Sequence, residues 1–252
     1  MELITLGTSA AAPAAGEATA GHLVRHADGA ILLDCGSGVL AALLEVIDLP
    51  QLHAIIISHL HPDHYLDLVP LRYAVAYGNA GRGPRVFLPP GGKAFLERLG
   101  RALRGRAAFF QGVLALAEYD PATTLAVAGF HLRFQRTRHD VPCFAIAVAG
   151  TARLVYTADT GPSEEVARFV AGADLLLCEA TYPAEANPAV TATHLRAVEA
   201  GELGRRTQRL VLTHFWPGYD REQLRQQAAA ARGGPVELAR RGARFRLGPD
   251  RP

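Results

Sequence analysis

One run of seven residues constrains this chain more than any other feature. Ser58-His59-Leu60-His61-Pro62-Asp63-His64 places three imidazoles and one carboxylate directly after the apolar segment 54–57. Neutral imidazole and carboxylate groups are preferred ligands of zinc and similar divalent ions. Four ligands exceed what one open catalytic metal needs from a short loop. The spacing therefore predicts two metal ions side by side at the end of a buried strand; the alternative is a solvated histidine-rich turn that binds nothing.

Length and composition limit the class of protein. The 252 residues are 49% hydrophobic and 20% charged, which predicts a well-buried core in one large α/β domain or two small ones. The chain has no run of 18 apolar residues, so we expect no membrane span. The first residues resemble a strand rather than a signal peptide. The three cysteines (Cys35, Cys143 and Cys178) are far apart and odd in number, which predicts free thiols and a cytoplasmic location.

Apolar patterning divides the chain into two similar halves. Strands are predicted over 3–6, 30–33, 53–57 and 85–88 in the first half. In the second half they are predicted over 114–118, 124–136 (a hairpin with its turn near 128–129), 145–148, 153–157, 175–178 and 210–213. Helices are predicted over 39–47, 66–77, 193–203 and 220–231. Strands and helices in both halves indicate two sheets packed face to face with helices outside.

Three more strand ends carry polar residues that can bind a metal. His139 follows the strand 124–136, Asp159 follows 153–157, and His214 follows 210–213. A single histidine at a strand end is usually structural or solvated. Together with the first cluster, however, these residues complete two coordination spheres.

In its order of motifs the chain resembles the metallo-β-lactamase-fold hydrolases, and within them the ribonuclease Z-like branch. The matching segments are Leu6-Gly7-Thr8-Ser9, Ile31-Leu32-Leu33-Asp34-Cys35-Gly36-Ser37-Gly38, the His59 cluster, His139-Asp140-Val141-Pro142, Tyr156-Thr157-Ala158-Asp159-Thr160, Glu179-Ala180, His194-Leu195 and Leu210-Val211-Leu212-Thr213-His214-Phe215. The resemblance implies an α/β fold, a four-layer αβ/βα sandwich, with residues 1–252 forming a single domain and a dinuclear site at one edge.

The resemblance also implies the roles of the ligands. The first metal is expected on His59, His61 and His139, the second on Asp63, His64 and His214, with Asp159 bridging both. Zinc is the expected metal, with manganese and iron as alternatives. Two such ions bind a hydroxide between them at neutral pH, and this hydroxide is the expected nucleophile.

The implied catalytic set is His194, Asp63 and Asp34. His194, at the start of the predicted helix 193–203, is expected to contact the scissile phosphate or to protonate the leaving oxygen; a capping or packing role is the alternative. Asp34 is expected to accept a proton from a ligating imidazole, unless it is only a turn residue before Gly36. Asp67 is given the same role, with an ordinary early-helix acid as its alternative.

The expected activity is hydrolysis of a small phosphodiester. Ribonuclease Z carries a long glycine- and proline-rich arm that holds tRNA, whereas the only candidate here is the short segment 79–84. The net charge is +2, and Arg98, Arg101, Arg104 and Arg106 are interpreted as a solvated face. Processing of tRNA 3′ ends, lactone or thioester hydrolysis and a non-catalytic metal-binding role stay open as alternatives. The expected partner is a small-molecule substrate, with no membrane contact; a homodimer is left open.

Overall fold

The apolar segments form two seven-stranded sheets, and the segment 114–118, assigned to the second half from the sequence, belongs to the first sheet. The structure, a computed structural model, describes residues 1–27, 29–78, 83–105, 107–187 and 192–248. The first sheet contains β1 (Glu2–Gly7), β2 (Gly21–His26), β3 (Gly29–Leu33), β4 (Ala54–Ile56), β5 (Arg85–Leu88), β6 (Ala115–Glu118) and β14 (Arg244–Arg246). The second contains β7 (Leu125–Val127), β8 (Phe130–Arg136), β9 (Phe144–Ala149), β10 (Arg153–Tyr156), β11 (Leu175–Glu179), β12 (Arg209–Thr213) and β13 (Glu237–Leu238).

Helices cover the outer face of each sheet. They are α1 (Val39–Leu44), α2 (Pro62–Tyr65), α3 (Leu68–Tyr77), α4 (Gly92–Arg104), α5 (Glu164–Val170), α6 (Ala197–Gly204) and α7 (Arg221–Arg232), with short 3-10 turns at Leu49–Gln51 and Ala107–Phe109. None of the helices in these described ranges is long and apolar enough to cross a membrane.

Strand alternation assigns each apolar side chain to one of three buried layers. In β3, Ile31 and Leu33 point into the layer between the two sheets, while Leu32 packs under the first group of helices. In β11, Leu177 lies in the central layer and Leu176 packs beneath the helices of the second sheet. Such alternation follows from the two-residue period of a strand. The predicted four-layer αβ/βα sandwich is therefore confirmed.

Parallel pairing brings the functional segments to one edge of each sheet. The first sheet has the order β14-β1-β2-β3-β4-β5-β6 and is parallel from β3 to β6; the second has the order β13-β12-β11-β10-β9-β8-β7 and is parallel from β10 to β13. Polar residues that follow the carboxyl ends of such neighbouring strands must meet.

Some predicted bounds differ from the structure. The helix predicted over 193–203 begins only at Ala197, because the preceding residues are extended: Arg196 pairs with Tyr182, whose carbonyl accepts a hydrogen bond from the Ala197 N–H. The helix predicted over 39–47 ends at Leu44. No bounds were predicted for β2, α4 and α5. The three cysteines are free, as predicted, and all three are buried.

We expect Leu177→Ala to lower the free energy of unfolding by about 2–5 kcal/mol, because Leu177 is fully buried between the sheets and its truncation leaves a cavity. Leu44→Ala is the matched control: Leu44 is 48% exposed, so the cost should stay within about 0.5 kcal/mol. Urea unfolding followed by circular dichroism and by fluorescence measures both free energies of unfolding.

A single domain over residues 1–252 stays a prediction. Two separate unfolding transitions of the unmodified protein would contradict it.

Candidate metal centre

Three histidine nitrogens converge on one point beyond β4 and β8. His61 Nδ1 lies 3.2 Å from His59 Nε2 and 3.1 Å from His139 Nε2. His59 and His61 follow β4 directly, and His139 follows β8. These are the three residues predicted to hold the first metal.

A second convergence lies beside the first. His64 Nε2 is 3.3 Å from His214 Nε2, and Asp63 Oδ2 is 3.4 Å from the former and 3.5 Å from the latter. Asp63 and His64 belong to the single turn of α2, while His214 follows β12. The structure therefore brings together the three residues predicted for the second metal.

Asp159 lies between the two groups. Its Oδ2 is 3.5 Å from His59 Nε2 in the first group, whereas its Oδ1 is 3.4 Å from His64 Nε2 and 3.3 Å from His214 Nε2 in the second. One carboxylate oxygen thus faces each group. This is the geometry that a bridging ligand needs.

The hydrogen bonds around these side chains fit metal ions at both points. In four of the rings, Nδ1 points away from the converging nitrogens and is hydrogen-bonded to another group. The pairs are His59 with Ser58 Oγ, His64 with Asp34, His139 with the Thr193 carbonyl, and His214 with Thr181 Oγ1. Neutral rings that donate from the outward nitrogen present only lone pairs inward. In addition, Asp159 Oδ1 is buried and has no hydrogen-bond partner among the described residues. Lone pairs this close repel one another unless a cation lies between them, so the donor set suits two divalent ions.

The directions of the pKa shifts favour the metal-binding forms of His59 and Asp159 but not of His64. Burial lowers the pKa of His59 well below its usual range, which favours the neutral ring that binds metals. Burial raises the pKa of Asp159, but the His214 and His64 rings outweigh it and hold the carboxyl ionised. His64 behaves differently: Asp159 and Asp34 overcome its burial and raise its pKa. A proton and a metal ion therefore compete for His64 Nε2.

Asp34 occupies the position behind the second group that was predicted for it. Its Oδ2 accepts hydrogen bonds from His64 Nδ1 at 2.8 Å, from Ser58 Oγ at 2.8 Å and from the Tyr156 hydroxyl at 2.9 Å. Its Oδ1 accepts the Ser58 N–H at 2.7 Å. A carboxylate behind a ligating imidazole fixes the ring orientation and its tautomer. The catalytic role of Asp34 stays a prediction.

The prediction for Asp67 is wrong. Its Oδ2 accepts the Leu40 N–H at 2.8 Å, and the Gly38 and Val39 N–H groups also bond to this carboxyl. Asp67 is thus turned toward the start of α1, where the free N–H groups and the helix dipole favour a carboxylate. It contacts no metal-ligand histidine through any described hydrogen bond.

His194 lies next to both groups. The prediction that it stands at the start of a helix is wrong, because α6 begins three residues later, at Ala197. Its ring stacks on His214 with centroids 5.6 Å apart and meets the edge of His139 at 5.1 Å. His194 Nδ1 is 3.2 Å from Glu179 Oε1. Burial lowers the pKa of His194, but the Glu179 carboxylate outweighs it and raises the pKa to about 9.

Glu179 lies in one of the segments that carry the resemblance, but the sequence analysis gave it no role. This fully buried carboxylate also accepts hydrogen bonds from the Thr160 N–H, the Leu195 N–H and Thr181 Oγ1. The available signal was the one that revealed Asp159: a carboxylate that ends an otherwise apolar strand, here β11.

Left-handed backbone marks the strand ends at the site. Asp34 (φ 60°), Ala158 (φ 50°) and His214 (φ 58°) all have positive φ angles, and each follows a strand that ends here. Residues other than glycine rarely adopt this region, at a cost of about 1–3 kcal/mol each. Strain of this kind persists where the surrounding contacts fix the side chain, and here those contacts are the two ligand groups and Asp34.

A small cavity opens onto the two ligand groups. Its volume is about 70 Å³, and its lining includes His61, Asp63, Asp159, His194, His214 and Trp216. Asp140 lies near its mouth, 61% exposed, with Oδ1 3.1 Å from His139 Nε2. The cavity places both candidate metal positions and His194 within reach of one bound group.

We expect purified protein to hold close to two divalent ions per chain, measured by elemental analysis. Asp159→Ala should lose both, since it removes the carboxylate that both groups share and leaves two close cations less screened. His131→Ala, which removes an exposed histidine of β8 away from the cluster, is the matched control. Full metal content in Asp159→Ala would contradict the bridging role.

Sequence comparisons agree with this geometry. The family model for the beta-lactamase superfamily domain matches residues 30–215. The chain is 31% identical over 246 residues to the Bacillus subtilis protein named probable metallo-hydrolase YhfI, which covers 96% of this chain and 98% of that protein. It is 28% identical to a Thermobifida fusca protein named ribonuclease Z, over 94% of this chain and 92% of that one.

Solved structures share the whole fold. The crystal structure of YhfI superposes with a TM-score of 0.88 at 28% identity, covering 97% of this chain and 99% of that one. Human tRNase Z, short form, superposes with a TM-score of 0.74 at 22% identity over 98% and 99% of the two chains. With two converging ligand groups at the shared sheet edge, a matching family model over residues 30–215 and this common fold, the chain belongs to the beta-lactamase superfamily and to its metal-dependent hydrolases.

Proposed function

We propose that this hydrolase cleaves a small phosphodiester. The observation that carries the proposal is that members of both ligand groups, the shared Asp159 and His194 line one cavity; the members are His61 of the first group and Asp63 and His214 of the second. Divalent ions held there would activate water and neutralise charge on a phosphate. The relative from Thermobifida fusca is named a ribonuclease, which supports phosphorus rather than carbon as the electrophile.

The proposed metal ligands and the residues that orient them have separate roles. The first metal would be held by His59, His61 and His139, the second by Asp63, His64 and His214, and both by Asp159. Asp34 orients His64 through its 2.8 Å hydrogen bond. The Ala11 N–H donates to Asp63 Oδ2 at 2.8 Å, which fixes the rotamer of that carboxylate.

His194 is the proton donor in this proposal. Its Nδ1 faces Glu179, so Nε2 is the nitrogen available to the leaving oxygen. Glu179 raises the pKa of His194 and so favours the protonated ring, which is the form that a proton donor needs. Protonation of the leaving oxygen by a positioned side chain contributes about 10²–10⁴-fold to the rate.

A small substrate is preferred to tRNA for two reasons. Only residues 78–84 connect α3 to β5, too few for the long arm of ribonuclease Z; residues 79–82 of that candidate arm lie outside the described residues. The net charge of +2 also offers little general attraction to a polyanion. Processing of tRNA 3′ ends is the second candidate, supported by the relative named ribonuclease Z.

We expect His194→Ala to lower kcat by about 10²–10⁴-fold with unchanged metal content, because it removes the proton donor but none of the proposed ligands. Glu179→Gln should have a smaller effect in the same direction, since the neutral amide no longer favours the charged ring. The double variant should be much faster than the product of the two single losses predicts, because part of the Glu179 effect runs through His194; any further loss would come from His214, which Glu179 reaches through Thr181. Loss of metal in His194→Ala would instead make His194 a structural or ligating residue.

Salt dependence separates the two substrate classes. We expect turnover of a small activated phosphodiester that changes little with ionic strength, and no measurable cleavage of a tRNA precursor at physiological salt. Binding through many phosphates would instead fall steeply as salt rises. The assay compares bis-(4-nitrophenyl) phosphate, a lactone and a tRNA precursor with the same metal-loaded protein. Tight, salt-sensitive tRNA cleavage would favour the second candidate, and lactone turnover alone would place the reaction at carbon.

A further inference from the structure

A turn directly after His214 exposes two large aromatic rings beside the cavity. Trp216 is 43% exposed and Tyr219 is 40% exposed. The Tyr219 N–H donates to the Trp216 carbonyl at 3.3 Å, and Gly218 between them has a φ of 103°, the conformation that a turn with proline followed by glycine requires.

The turn is firmly anchored. The buried Phe215 bonds through its N–H to the Thr8 carbonyl at 2.8 Å, and its carbonyl accepts the Ala10 N–H at 2.9 Å. The Arg221 guanidinium covers the Phe215 ring at 4.9 Å. Because both sides of the Phe215 backbone are fixed, Trp216 is held at the cavity wall.

The exposed rings continue those inside the cavity. Trp216 and Tyr182 both line the cavity with His194. The Tyr182 ring is 6.1 Å from His194 and 6.3 Å from Tyr219. We call Trp216, Tyr182 and Tyr219 the aromatic rim; it leads from the proposed proton donor to the surface.

The position of the rim sets it apart from the other exposed apolar side chains of the described residues. Leu44, Leu66, Tyr77 and Leu103 are exposed as well, but none of them lines this cavity, whereas Trp216 lines it and Tyr219 meets the ring of Tyr182, which also lines it. Exposed rings next to polar catalytic groups are typical of a site that orients an apolar part of its ligand. The rings offer flat faces, and the indole N–H and tyrosine hydroxyls offer polar edges, which match a heterocyclic base better than an alkyl chain.

We propose that the aromatic rim stacks the nucleobase of a nucleoside phosphodiester while its phosphate lies against the two ligand groups. This inference rests on the proposed phosphodiesterase function and names its substrate class. Stacking of a base on an aromatic side chain strengthens binding by about 5- to 150-fold. Trp216 and Tyr219 are therefore specificity residues rather than parts of the catalytic machinery.

The single tryptophan gives a direct test that does not require turnover. Trp216 is the only tryptophan in the chain, so all indole emission comes from the rim. Adenosine monophosphate and ribose phosphate carry the same phosphate, but only the former has a base. We expect adenosine monophosphate to quench the emission of the metal-loaded protein and to bind about 5- to 150-fold more tightly than ribose phosphate. Equal affinities, or binding without quenching, would overturn the inference.

Variants identify the residues that carry this preference. Tyr219→Ala should reduce the preference for adenosine monophosphate, whereas Tyr77→Ala should leave it unchanged, since Tyr77 is 76% exposed and lies outside the cavity. Trp216→Ala should lower kcat/KM for a nucleoside phosphodiester by about 5- to 150-fold but leave an alkyl phosphodiester within about twofold, and Trp216→Phe should keep most of the activity. An equal loss on both substrates, or on neither, would overturn the inference.

The two proposals can fail separately. If adenosine monophosphate binds by stacking but no phosphodiester is hydrolysed, the proposed function is wrong and the rim remains a nucleobase site. If phosphodiesters with and without a base are hydrolysed equally well, the proposed function stands and the aromatic rim is not a base-binding surface.

Discussion

The hydrogen bonds of Asp34 join the two sheets at the point where the chemistry takes place. Asp34 follows β3 of the first sheet, and Tyr156, whose hydroxyl donates to it at 2.9 Å, ends β10 of the second. The same buried carboxylate holds His64 and both polar groups of Ser58. A buried carboxylate that accepts this many hydrogen bonds is held rigidly, and an unpaired one would cost several kcal/mol. The sheet packing and the orientation of the ligands therefore depend on each other.

Glu179 repeats this arrangement on the other side of the site. His59 bonds to Ser58, which bonds to Asp34; His214 bonds to Thr181, which bonds to Glu179. In each of these two hydrogen-bond relays, a hydroxyl group donates to a buried carboxylate and accepts from a histidine Nδ1–H. The relay thereby fixes the tautomer of the ring. Asp34 and the Thr193 carbonyl orient His64 and His139 directly, and these two relays orient His59 and His214. The same hydrogen bonds explain why backbone strain at Asp34 and His214 is tolerated, because each residue is held by several buried hydrogen bonds.

Chemistry and substrate choice come from different parts of the molecule. The ligand groups belong to the ends of buried strands, which the fold places at one edge whatever the substrate. The aromatic rim belongs to a surface turn and to the loop after β11, and such loops vary without disturbing the core. A metal-dependent hydrolase of this family can therefore keep its reaction and change its substrate through residues such as Trp216. The proposed preference for a nucleobase is a property of this rim rather than of the fold.

The ligand types, their order along the chain and the layered fold could all be predicted from the amino-acid pattern. His59, His61, Asp63 and His64 are consecutive or nearly so, and a short loop after a buried strand can only present them together. The apolar runs of β3 and β11 likewise predicted buried strands, but only the structure assigned their side chains to layers. Only the tertiary structure decided the partners that are distant in sequence. Asp67 accepts a hydrogen bond at the start of α1 rather than from a histidine, and Glu179 contacts His194, which is fifteen residues away in sequence. The physical reason is that the local sequence pattern determines on which face of a helix or strand a side chain lies. The side chain that it contacts there depends on how elements distant in sequence pack against each other.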